Sequence, residues 1–184
     1  MPEIVEGRLA FRFPDDWRVV KYDDPGGFAA REVRIDGTKK IDILALRPDT
    51  RLILLEIKDF RGHRIEARDR LDPQGADPLP VEIAAKVRDT VSVLLAAFRA
   101  RDQELSPIAH YLFGGARREV EMILFLEQDP ERDRKLRGYR DRTSLQTAVK
   151  RLLRPYHFDC RVLRMSGMDA RAPWTVRSLP AGPQ

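Results

Sequence analysis

The stretch KKIDILALRPDTRLILLEIKDF, Lys39 to Phe60, limits the possible folds more than any other part of the chain. Two runs rich in Ile and Leu flank RPDT, and a Pro-Asp pair between apolar runs signals a tight turn. The runs Lys39–Leu46 and Arg51–Lys58 are therefore predicted as paired strands that read as buried. Asp42, Glu56 and Lys58 interrupt them. Burying a charge is costly unless it is paired, hydrogen-bonded or metal-bound, so these three residues need a reason to be there.

The remaining pattern supplies the layers around that hairpin. Pro80 to about Arg101 is predicted as a long helix, with Ile83, Val87, Val91, Leu94, Leu95 and Phe98 at helical spacing. Val120–Glu127 reads as a strand. A second helix is predicted from Thr143, with Leu145, Val149, Leu152 and Leu153 on its apolar face and Pro155 ending it. His157–Met165 reads as a last long strand, and Ala29–Ile35 stays open between strand and helical turn. The expected class is α/β (α+β): a central mixed β-sheet flanked by helices. A single domain is expected over residues 1–165, followed by a loosely packed tail over 166–184 in which Trp174 is the one anchor.

Composition narrows the setting. The 184 residues carry 34 Lys and Arg against 29 Asp and Glu, a net charge of +5, with a pI near 9.6. That balance favours a polyanionic partner. Between Glu131 and Arg164 eleven basic residues stand against four acidic ones, a local +7. An arginine-rich solvated surface is the plainer explanation of the same run. One cysteine, Cys160, excludes an internal disulfide and fits a reducing compartment. No apolar stretch approaches the ~20 residues of a membrane span, and the N-terminus does not read as a signal peptide. A cytoplasmic protein with no membrane partner is expected.

Strand geometry decides what the three charges can do. Side chains alternate faces, so Glu56 and Lys58 share one face, while Ile53, Leu55 and Ile57 take the other. A two-residue loop would put Asp42 opposite Leu55 and leave the carboxylates on opposite sides. A three-residue loop, Pro48-Asp49-Thr50, pairs Arg47 with Arg51 and sets Asp42 across from Glu56. We expect the odd loop, or a bulge with the same effect. Opposed Cβ atoms lie roughly 4.5–5.5 Å apart, close enough for both carboxylates to hold one hard cation. Mg²⁺ or Mn²⁺ suits carboxylate oxygen and water. Such an ion can activate water and stabilise charge on a phosphoryl group, with Lys58 orienting or deprotonating that water. Charges that keep an exposed edge strand from pairing with another chain are the competing explanation.

Asp42 followed by Glu56-Ile57-Lys58 on the next strand, in the context LLEIKDFRG, resembles the PD-(D/E)xK nuclease superfamily, the restriction-endonuclease-like fold. The resemblance covers roughly Trp17 to Glu127. It implies a core of helix, three strands, helix and strand. It also implies a metal-dependent endonuclease that hydrolyses nucleic-acid phosphodiester bonds through a Mg²⁺-activated water. Asp42 and Glu56 would be the metal ligands and Lys58 the catalytic lysine. Ile41 stands where the pattern has proline. Accessory roles would fall to Glu6, to Asp24 of the KYDD stretch that also holds Asp23, and to Lys86 with Asp89 nearby. Arg132, Arg134, Lys135 and Arg137 would hold the nucleic-acid backbone, with DNA favoured over RNA. A homodimer is the arrangement many such nucleases adopt. The alternative is a catalytically inactive nuclease-like domain that binds nucleic acid or a protein partner. His63, His110 and His157 lack metal-ligand spacing, and Cys160 reads as a small core residue.

Overall fold

The computed structural model describes residues 1–27, 37–62, 70–115, 118–128, 142–168 and 170–180. Its main sheet has five strands: β3 (Arg18–Lys21), β4 (Ile43–Arg47), β5 (Arg51–Asp59), β6 (Glu119–Glu127) and β7 (Asp159–Leu163), in that spatial order. The first three are antiparallel, and β5, β6 and β7 run parallel. A parallel step needs a long crossover. Helices α1 (Leu79–Ala100) and α2 (Ser106–Phe113) lie between β5 and β6, and α3 (Arg142–Leu152) lies between β6 and β7. This is the mixed sheet with helices that the sequence pattern implies.

A second sheet, β1 (Glu3–Glu6), β2 (Leu9–Arg12) and β8 (Thr175–Ser178), is antiparallel throughout. Its side chains cover the face of the main sheet that the helices leave. Leu44, Leu52, Leu54 and Leu124 pack with Ile83, Val87 and Val149 in the core on the helix side. Ile43, Ile53, Leu55 and Phe125 pack with Phe11, Phe13 and Trp174 on the other. Two-sided burial is why the runs ILAL and LILLEI are almost unbroken in apolar residues.

The hairpin has the three-residue loop: Arg47 pairs with Arg51, Asp49 adopts a left-handed φ of 59°, and the Thr50 N–H donates to the Arg47 carbonyl. Strand β4 begins at Ile43 and not at Lys39. The preceding backbone is drawn to α1, where the Lys39 N–H donates to Asp89 Oδ2 and the Ile41 N–H to Thr90 Oγ1.

Several expectations are corrected. Leu95 is 48% exposed, and Val93 and Ala97 are buried instead, because the buried stripe follows the 83, 87, 90, 94, 97 spacing of a 3.6-residue turn. Leu152 likewise points out while Leu145 and Val149 are buried. The last strand of the main sheet is shorter than expected, since His157 turns left-handed with φ 55° before it. The tail is not loose throughout: β8 pairs with β2, and Trp174 is 3% exposed against Phe11 and Phe13. Residues 1–12, ahead of the stretch the resemblance covers, form β1 and β2. The open segment Ala29–Ile35 lies outside the described residues.

Candidate functional site

The charged residues meet where β4 enters the sheet and β5 leaves it. Ile43 pairs with Leu55, so one further step of the register sets Asp42 across from Glu56. The Ile57 N–H donates a 2.6 Å hydrogen bond to Asp42 Oδ2 and ties the two strands at that point. Asp42 is 6% exposed and Glu56 fully buried.

Helix α1 passes over the same face and contributes Lys86. Its Nζ lies 3.3 Å from Asp42 Oδ1 and 2.7 Å from Glu56 Oε1. Lys58 Nζ lies 2.8 Å from that same Glu56 oxygen and 3.3 Å from Glu82 Oε1. The second Glu82 oxygen pairs with Arg70. The result is a ladder of alternating sign: Asp42, Lys86, Glu56, Lys58, Glu82, Arg70. Glu82 and Lys86 stand four apart on α1, on neighbouring turns, and border the apolar stripe of Ile83 and Val87.

Burial pushes the Asp42 carboxyl above its ordinary range, against the pull of Lys86 and the Ile57 N–H. Burial does the same to Glu56; the negative charge of Asp42 adds to it, and Lys58 and Lys86 oppose it. Glu56 Oε1 accepts from two ammonium groups, but Glu56 Oε2 is buried with no hydrogen bond. A buried carboxylate oxygen without a hydrogen bond is costly.

The carboxylates of Asp42 and Glu56, the latter with an unbonded oxygen, are a donor set that suits Mg²⁺ or Mn²⁺. Mg²⁺ is commonly held by one or two carboxylates and keeps several waters. Asp42 and Glu56 supply two carboxylates. Among the described residues no group of three or more His, Cys, Asp and Glu side chains is placed to hold a metal ion.

The accessory candidates separate. Lys86 is at the centre. Glu6 lies on a strand, 2.9 Å from Lys21 Nζ, and reaches Asp42 only through its field. Asp24 is exposed and accepts the Gly26 N–H, so it shapes the turn and is not part of the site. Its neighbour Asp23 is the half-buried one; burial, then Glu6 and Asp42, raise its carboxyl. Asp89 pairs with Arg88 and Lys39 elsewhere on the helix. Arg132, Arg134, Lys135 and Arg137 lie outside the described residues. Sequence reasoning passed over Glu82, whose signal was its place one turn before Lys86. Cys160 is buried, as expected of a core residue.

No family model matches the chain, and no solved structure is significantly similar to it. A cysteine–tRNA ligase from Neisseria meningitidis serogroup A is 28% identical over 151 aligned residues, covering 69% of this chain and 21% of the ligase. The chain thus spans about a fifth of that protein's length. This similarity points away from phosphodiester hydrolysis and corrects the expectation of a metal-dependent nuclease. Among the described residues no helix is long and apolar enough to cross a membrane.

Proposed function

We propose that this domain binds RNA of the tRNA class, with a divalent cation, Mg²⁺ or Mn²⁺, held by Asp42 and Glu56. The observation that carries the reading is the buried, unbonded Glu56 Oε2 beside an oxygen that already takes two lysines. The bound cation would supply positive charge facing a backbone phosphate. Lys58, fixed between Glu56 and Glu82, orients a second positive charge towards the same phosphate. The resemblance around Asp42 and Glu56-Ile57-Lys58 supports a cation at those two acids. The name of the related ligase supports tRNA over the DNA expected from the motif. Arg132, Arg134, Lys135 and Arg137, within the local +7 segment, supply sequence-independent attraction to the backbone. A lone, buried Cys160 suits a reducing, cytoplasmic setting.

Fluorescence anisotropy with labelled tRNA tests this. At low salt, Mg²⁺ should tighten binding at least about tenfold relative to EDTA, and Asp42→Asn should remove most of that gain. Equal affinity in Mg²⁺ and EDTA, or no binding in either, refutes it.

A further inference from the structure

We infer that Lys86 is a built-in counter-ion that occupies the cation position and must leave when a divalent ion binds. The inference rests on the proposed cation site and concerns how that site is controlled. Among the described residues the ladder balances without a metal: the three carboxylates of Asp42, Glu56 and Glu82 face the three cations Lys58, Lys86 and Arg70. A dication added to this set would meet a neutral cluster and two ammonium groups. Binding is therefore an exchange.

Lys86 is the cation that can be exchanged. Its two partners, Asp42 and Glu56, are both proposed cation ligands, so ion and ammonium compete for the same oxygens. Lys58 shares only Glu56 with the ion and keeps Glu82 when Glu56 turns to a metal. Lys86 also has a way out. Its side chain is 14% exposed, at the rim of α1, and a four-carbon stem can swing its head to solvent without moving the helix. Glu56 is fully buried and cannot follow. The consequence is a threshold: cation affinity is set by the cost of evicting Lys86 as much as by the two carboxylates.

Two measurements with Mn²⁺ alone test the exchange on the full chain. Calorimetric titration should show Lys86→Met binding Mn²⁺ at least about tenfold more tightly than wild type, because one competing positive charge is gone. If that variant fails to fold, the wild type decides. Amine-reactive labelling read by mass spectrometry should rise several-fold at Lys86 on Mn²⁺ saturation, while the exposed Lys150 stays constant. Wild type that binds Mn²⁺ with unchanged Lys86 labelling overturns the exchange and leaves the cation site standing. Equal or weaker Mn²⁺ binding by a folded Lys86→Met does the same. No Mn²⁺ binding by either protein overturns the exchange and the cation site together.

Discussion

Lys86→Met, examined with Glu56→Gln in a double-mutant cycle, probes the ladder most sharply in EDTA. Lys86 touches two carboxylates at 3.3 and 2.7 Å, one of them fully buried. Breaking a buried pair by removing one partner typically costs about 3–5 kcal/mol, because the remaining charge is left without its counter-ion. Lys86→Met should fall in that range, since Lys58 stays on Glu56 but Asp42 loses its only lysine contact among the described residues. Glu56→Gln should cost less, about 1–2 kcal/mol: Lys86 retains Asp42, Lys58 retains Glu82, and a buried charge with one unbonded oxygen is removed. The double variant should be less destabilised than the sum by about 1–3 kcal/mol, the range for residues in direct contact. Urea unfolding at constant m-value measures all four proteins. Additivity within about 0.5 kcal/mol would show that the two side chains do not share a desolvated contact.

Trp174→Ala should lose about 3–5 kcal/mol in urea unfolding, whereas a tail that does not pack would lose almost nothing. Burial alone would raise the Asp59 carboxyl, but Arg61 and Arg8 outweigh it and hold it low. A depressed carboxyl stabilises above its unfolded value and stops doing so as pH falls through its folded value. The stability gap between wild type and Asp59→Asn should therefore close as pH drops below about 4, and a constant gap would contradict the pairing. Burial pushes the Cys160 thiol up to about 12, so a thiol reagent at roughly pH 8 should modify it only in denaturant.

How far the sequence reveals the site depends on which rules act locally. The hairpin register was legible because side-chain alternation leaves two choices, and only the three-residue loop places Asp42 and Glu56 on one face. The long helix was legible from its spacing, but Leu94 and Leu95 are both apolar. Which one turns inward is fixed by how α1 seats on the sheet. Glu82 was hidden because an acid in a first helical turn already has an explanation in the helix dipole. Asp23 and Asp24 are adjacent, and only the turn that ties Asp24 to Gly26 decides which faces inward. The segment TVRS has no alternation to announce a strand; it becomes β8 because β2 offers an open edge.

Whether Asp42 and Glu56 hold a cation is decided by a crystal soaked in Mn²⁺ and read by anomalous scattering. The expected result is a peak bonded to carboxylate oxygens of Asp42 and Glu56, with the Lys86 ammonium withdrawn from both. Saturating Mn²⁺ that leaves no peak there, with Lys86 still bridging the two acids, would contradict it.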